Sequence, residues 1–486
     1  MKGSQIARQP RKLAKLAALA ALAALVLVTA CGPSSASPTL APSPPASTAA
    51  SSTPVASSAP PSQTGSLVLI GKIVTMDSPA VAQALLIEDG VVAAMGARHE
   101  VLATAGKDVP VIDIGENVAY PGFIDAHAHW IGDRDVYAVA APAEAMELAV
   151  ARGWTSISEQ WVNSERLREL ESLANDRALR LRVDAYLALN FDKDFYGDWY
   201  LDRKPGILAD RLRVQGVKIH LDNGDGTIVN WEPAELTGAI GRANAAGWQV
   251  SVHSMSSTAQ GLVLDAFEAA LGPKGPNPLH HRIEHAVQVT DAELARMVAL
   301  DLATVIHPDG EPDWIMYDDF LAPFDRADPP ADIKATVGRW RDFVDAGLHV
   351  AFATDAPWTF PDFQTGDRLV ELTEDMGRPV DQIAAGMDGK QRMNPKMPSW
   401  LLDQTLTAEQ GLRAVTLDAA WTLGDDARRG YLDRGALGDV TILNGDITDA
   451  TPDEIRAMDV IATIVGGVPT YCPASEICSK LAKVHS

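Results

Sequence analysis

His127-Ala128-His129 places two imidazoles two residues apart. On an extended segment such side chains point the same way, so both can reach one ion. The pair acquires weight from residues further along the chain: Lys218, His253, His285 and Asp355, each near the end of a short apolar run. Taken singly, each has an ordinary structural use. Lys218 could be a salt-bridged strand lysine, His253 and His285 hydrogen-bonded core histidines, and Asp355 a cap on the next loop. Taken together, imidazoles and a carboxylate are the donors that hold a divalent cation for hydrolysis.

The elements that must position these residues are short apolar strands alternating with helical segments between Pro121 and about Gly424, the pattern of a parallel sheet with covering helices. The strand candidates are Phe123–Asp125, Thr155–Ile157, Leu181–Tyr186, Gly216–Ile219, Gln249–Val252, Arg282–Glu284, Ala303–Ile306 and Val350–Ala353. Eight such strands fit a (β/α)8 TIM barrel. The chemistry-bearing residues fall at the strands' C-terminal ends, where barrel active sites are built. Leu67–Ile70, Ala84–Ile87 and Val91–Ala94 precede the barrel, and Asp439–Leu443 and Val460–Val465 follow it. Like texture at both ends predicts a small β-sandwich domain composed of 66–120 and 430–486, flanking a barrel over 121–429.

The run Pro121-Gly122-Phe123-Ile124-Asp125-Ala126-His127-Ala128-His129 resembles the opening signature of the amidohydrolase superfamily. Gly216-Val217-Lys218-Ile219 is similar to its carboxylated-lysine strand. Val252-His253-Ser254 and Arg282-Ile283-Glu284-His285-Ala286 resemble its two later histidine strands, and Thr354-Asp355-Ala356-Pro357 its aspartate. The wording is closest to the family 3 branch, which contains N-substituted formamide deformylases, and the likeness runs from about Ser66 to Tyr471, including Gly438–Leu443.

The resemblance implies a hydrolase of carbon–nitrogen bonds other than peptide bonds, in amides, N-acyl compounds or cyclic amides. It implies two divalent ions, zinc being the expected metal. His127, His129 and Asp355 would hold one, His253 and His285 the other, and Lys218, carboxylated by carbon dioxide, would bridge them. Such ions lower the pKa of water to about 7. Asp355 would take the proton of the attacking water and pass it to the leaving nitrogen. A lactonase or phosphotriesterase would use the same ligands, whereas a mononuclear deaminase would not need Lys218.

The chain departs from this branch at two places. Ser254-Met255-Ser256-Ser257 stands where a Gly-Asp pair usually follows the histidine, and His307-Pro308 stands where Gln-Pro is commoner. Both positions bear on substrate class, and His307 is a candidate substrate contact. So is His220, one strand step beyond Lys218 on the same face. Trp130, Trp199, Trp231, Trp314 and Trp358 lie in or beside loops after strands, where they could line a pocket or simply pack. His99, His280, His281, His349 and His485 are read as surface or structural.

The N-terminus carries Lys2, Arg8, Arg11, Lys12 and Lys15, then an apolar run from Leu16 to Ala30. That run is shorter than the roughly 20 residues that span a bilayer, and the pattern is that of a signal peptide. Leu27-Val28-Thr29-Ala30-Cys31 resembles a bacterial lipobox, which implies a lipid on Cys31 and an extracytoplasmic protein anchored to a bacterial membrane. Residues 32–65 are dominated by Pro, Ser, Ala and Thr without a charge and read as a disordered tether. An oxidising compartment makes a disulfide the expected use of Cys472 and Cys478, a metal site being the alternative.

With 41 Lys+Arg against 64 Asp+Glu, the net charge is −23. Nucleic-acid affinity is largely neutralisation of phosphates by cations, so a nucleic-acid partner is not expected. A small-molecule substrate is. A tethered solute-binding protein would fit the leader and linker, but would need none of the six candidate ligands.

Overall fold

The computed structural model describes residues 63–137, 139–223, 228–310, 328–359, 376–390, 398–473 and 476–481. The lipobox with Cys31, nearly all of the tether, Trp314 and His485 lie outside the described residues.

Four strands open the described chain: β1 (Leu67–Val74), β2 (Val81–Glu88), β3 (Val91–Gly96) and β4 (Val111–Pro121). The barrel strands are β5 (Phe123–Ala128), β6 (Trp154–Val162) and β7 (Arg182–Ala188), then β11 (Leu212–His220) to β15. Between β7 and β11 lie the short β8 (Asn190–Phe191), β9 (Asp194–Phe195) and β10 (Gly206–Ala209). The barrel continues with β12 (Gln249–Ser254), β13 (Arg282–His285), β14 (Ala303–Ile306) and β15 (Val350–Phe352). The chain closes with β16 (Val440–Leu443), β17 (Val460–Val465) and β18 (Val468–Tyr471).

Eight parallel strands run in the order β15-β14-β13-β12-β11-β7-β6-β5. Each coincides with a segment expected from the sequence, β7 starting one residue later at Arg182 and β15 ending one residue earlier at Phe352. The seam between β15 and β5 closes just past the strand ends, where the Asp355 N–H donates to the His127 carbonyl at 2.9 Å and the His129 N–H to the Ala356 carbonyl at 2.8 Å. The backbone of the segments that carry His127, His129 and Asp355 is therefore itself part of the barrel closure. Asp125 reinforces it, accepting from the Thr354 N–H and hydroxyl and from the Trp130 indole.

Helices cover the strands because their apolar residues recur at helical spacing. In Ser164–Asn175 these are Leu167, Leu170 and Ala174, and the Asn163 side chain accepts the Glu165 and Arg166 N–H groups that have no partner inside the helix. Asp291–Ala299 begins with a capping box between Thr290 and Glu293 and buries Leu294 and Met297.

The strands from the two chain ends form a seven-stranded sheet in the order β18-β17-β16-β4-β1-β2-β3. β16 pairs antiparallel with β4, so the segment after the barrel is stitched to the segment before it. Leu67, Leu69, Ile112, Ile442 and Ile464 pack together in the sheet's core, and Arg182 of the barrel pairs with the buried Asp439, just before β16, at 2.6 Å. Cys472 and Cys478 are joined by a disulfide with Cα atoms 5.5 Å apart.

Candidate active site

At the barrel mouth a cavity of about 230 Å³ is lined by His127, Trp161, Phe191, His220, His253, Met255, His285, Asp355 and Trp358. Beneath it lie His129 and Lys218, both fully buried. All six residues expected to hold metal therefore meet at one end of the barrel.

Oδ1 of Asp355 lies 3.2 Å from Nε2 of His127 and 3.2 Å from Nε2 of His129. Donor atoms of these three residues lie within 4.8 Å of one another, as do those of His127, His285 and His307. His253 enters neither group, although its ring centroid is 4.4 Å from that of His285. His307, expected as a substrate contact, is absent from the cavity lining and sits among the histidines.

Strand register explains much of this convergence. Lys218 on β11 stands opposite Ser251 on β12, and His220 opposite His253. His253 in turn stands opposite Glu284 on β13, so Glu284 faces the barrel interior with it. A regular strand would turn the next residue, His285, away. Instead His285 has φ 71° and Ala286 φ 45°, which redirects the chain at the strand end. Trp161 (φ 51°) and Asp355 (φ 49°) also sit in the left-handed region, the kind of backbone strain that clusters at functional sites.

Burial sets the electrostatics. It pushes the imidazoles of His253 and His285 well below their ordinary value, reinforced by neighbouring histidines, which keeps them neutral and their lone pairs available. His220 and His307 are lowered to about 4 chiefly by burial. For Asp355, burial acts to raise the pKa, but His127 and His129 outweigh it and hold the carboxyl well below the usual range.

Lys218 is the clearest test of whether a metal fits. Its Nζ is buried without a hydrogen-bond partner among the described residues, and burial lowers its pKa to about 8 against the opposing pull of Glu284 and Asp355. An isolated ammonium in such a place is unfavourable, whereas a neutral amine can be carboxylated. With the neutral imidazoles and the carboxylate around it, the donor set fits divalent cations.

Three supporting acids were not anticipated from the sequence. Glu284 accepts from Nδ1 of His127 at 2.6 Å, from the Ser251 hydroxyl at 2.7 Å and pairs with Arg282 at 2.7 Å. Asp222 accepts the Met255 and Ser256 N–H groups and lies 3.7 Å from Nε2 of His253. Asp125 is the acid of the barrel seam. For Glu284 and Asp125 a signal was available: acids inside core strands are rarely buried without a partner. Of the tryptophans singled out, Trp358 lines the cavity, Trp130 and Trp199 donate to Asp125 and the Ala188 carbonyl, and Trp231 packs in the core. Trp161, which was not singled out, forms the cavity wall with Phe191 and His220.

The remaining described histidines stay out of the site. His281 is buried, with Nδ1 accepting the Val250 N–H and Nε2 against Asn244, so it is structural. His280 and His349 flank Trp421, and His99 lies on the helix Arg98–Thr104.

Comparison with known proteins places this geometry in context. An N-substituted formamide deformylase of Arthrobacter pascens is 25% identical over 231 residues, 47% of this chain and 38% of that protein. The putative amidohydrolase YtcJ of Bacillus subtilis (strain 168) is 26% identical over 263 residues, 53% and 42% of the two chains. The chain spans less than half the length of these curated relatives. Among solved structures, an uncharacterized metal-dependent hydrolase from Pyrococcus horikoshii OT3 has a TM-score of 0.63 at 17% identity, covering 80% of this chain and 99% of that one. Atrazine chlorohydrolase TrzN from Arthrobacter aurescens TC1, complexed with zinc, has a TM-score of 0.57 at 14% identity, covering 86% and 99%. These structural likenesses concern the fold. A model of the amidohydrolase family (Amidohydro_3) matches residues 133–471, and the chain belongs to that family.

Proposed function

We propose that this protein is a metal-dependent hydrolase that cleaves a carbon–nitrogen bond in an uncharged small molecule, an amide, N-acyl compound or cyclic amide. The observation that carries the reading is the meeting of His127, His129 and Asp355, with donor atoms within 4.8 Å, under a cavity at the barrel mouth. The relatives point the same way, one being named for deformylation of N-substituted formamides. Trp161, Phe191, Met255 and Trp358 give the cavity apolar walls, and no arginine or lysine is among its described lining residues. Such walls suit the uncharged, apolar part of a substrate.

His127, His129 and Asp355 would hold one divalent ion, and His253 and His285 a second, with carboxylated Lys218 between them. The neutral amine of Lys218 adds to carbon dioxide, forming an N–C bond and releasing a proton, and so exchanges a buried cation for an anion with two oxygens. Bound divalent ions, zinc by the donor set, would polarise the scissile carbonyl and acidify water. Asp355 Oδ1, already aimed between two imidazoles, accepts a proton from the attacking water and returns it to the departing nitrogen, so that water is added across the bond. Glu284 fixes the His127 ring by accepting its Nδ1 proton. The extracytoplasmic location, with Cys31 lipidated and 32–65 as a tether, is part of the same proposal.

The test is metal analysis of the purified protein together with a screen of amides, N-formyl compounds, cyclic imides, lactones and phosphotriesters, each as neutral and carboxylated analogues. Metal-dependent turnover of neutral amides is expected. Turnover confined to lactones or phosphotriesters would overturn the bond assignment and leave the metal centre in place. A metal-free chain that binds solutes without turnover would return it to a solute-binding role.

A further inference from the structure

His307 follows the last residue of β14 and is fully buried, yet it is not part of the cavity lining. A residue that touches substrate must reach the cavity. Its Nδ1 lies 3.2 Å from the carbonyl oxygen of Ala353. A carbonyl can only accept, so Nδ1 carries the proton and the lone pair is on Nε2. A ring that donates one N–H to a backbone carbonyl and keeps the other nitrogen unprotonated is in the state a metal-bound histidine requires.

The neighbours complete the case. The ring of His307 is 4.9 Å from that of His285 and 5.3 Å from that of His127, centroid to centroid. One donor atom from each of the three residues falls within a 4.8 Å cluster. The Nδ1–H of His127 donates to Glu284, so its lone pair is also on Nε2. Three buried imidazoles converge, two of them in defined tautomers that offer nitrogen lone pairs.

We infer that His307 is a ligand of the metal centre, offering Nε2 to the ion position it shares with His285. This rests on the reading of the site as a metal centre, and it goes beyond the six expected ligands. Nε2 of His127 can serve one ion at a time. With one ion on His127, His129 and Asp355, His307 would join His285, His253 and carboxylated Lys218 at the second position.

The experiment strips the full-length protein with chelator and titrates it with Co²⁺ and Zn²⁺, following visible absorption and bound metal, for the wild type, H307Q and H129A. The wild type should take up two equivalents. H307Q should keep the first and bind the second more weakly by at least about 10-fold, whereas H129A should impair the position it shares with Asp355. Unchanged affinity for both equivalents in a folded H307Q protein would overturn the inference even if KM changed, because His307 would then be a substrate or structural residue. A wild type that binds no divalent ion would overturn the metal-centre reading together with this inference. If H307Q fails to fold, a crystal structure of the zinc-replete wild type decides. Zinc within roughly 2.0–2.1 Å of His307 Nε2 supports the assignment, and a longer separation overturns it.

Discussion

Nδ1 of His127 and Oε2 of Glu284 are 2.6 Å apart, joined across 157 residues of sequence by a buried hydrogen bond. The carboxylate can only accept here, so it holds the proton on Nδ1 and leaves Nε2 to face Asp355. Burial alone would raise the Glu284 pKa, but Arg282 and His127 outweigh it and hold the carboxyl well below its usual range. One acid thus orients a candidate ligand and neutralises a buried guanidinium.

Glu284→Gln should therefore weaken metal binding by about 10- to 100-fold. It should also cost about 3 kcal/mol of stability, because Arg282 is left buried without its counter-charge. Chelator competition and urea denaturation check the two effects separately. Unchanged metal affinity in the folded variant would remove Glu284 from the site.

Lys218→Ala should lose metal and activity together, with a short carboxylic acid added from solution restoring part of both. Lys218→Arg should not rescue, since guanidinium keeps its charge and cannot be carboxylated. Full activity with two metals per chain in Lys218→Arg would return Lys218 to a structural role.

Acid should destabilise the fold through His281. Burial lowers its pKa from 6.5 to about 3, and the nearby His280 adds to this. Because the folded value lies below the unfolded one, the unfolded chain takes up the extra proton as pH falls. The stability is fully present above about pH 6.5 and declines below it. Between pH 6.5 and 5 this one group accounts for about 2 kcal/mol of lost stability. Urea denaturation of the wild type and of His281→Gln across this range should show a slope shallower by about one proton in the variant. Equal slopes would rule out a neutral, buried His281.

Lipidation at Cys31 predicts that wild-type protein sediments with membranes when expressed in a bacterium, and that Cys31→Ser does not. The kcat/KM of the released protein should match that of the detergent-solubilised wild type. Sedimentation of Cys31→Ser with membranes would place the attachment elsewhere.

Much of the barrel and most of the candidate ligands could be read from local pattern. Short apolar runs mark the eight strands because a strand buried on both faces carries few polar residues. His127, His129, Lys218, His253 and Asp355 were legible because they interrupt those runs near strand ends, and the end of a barrel strand is one shared place. The pairing of β16 with β4 was legible only in outline, as similar texture at two distant ends.

Strand register and backbone torsion decided the rest, since both depend on partners remote in sequence. Glu284 faces the interior because β13 is set against β12 with Glu284 opposite His253, which an isolated strand cannot reveal. His285, one residue on, should face away by simple alternation, and only its positive φ at the strand end brings it to the mouth. His307 was expected as a substrate contact from its place after the seventh strand, and only the fold sets its Nδ1 against the Ala353 carbonyl and its ring beside those of His127 and His285. The sequence by itself determined which donors exist and which end of the barrel they share. Only the tertiary structure decided which nitrogen of each ring faces which neighbour, because that choice is made by hydrogen-bond partners on other strands.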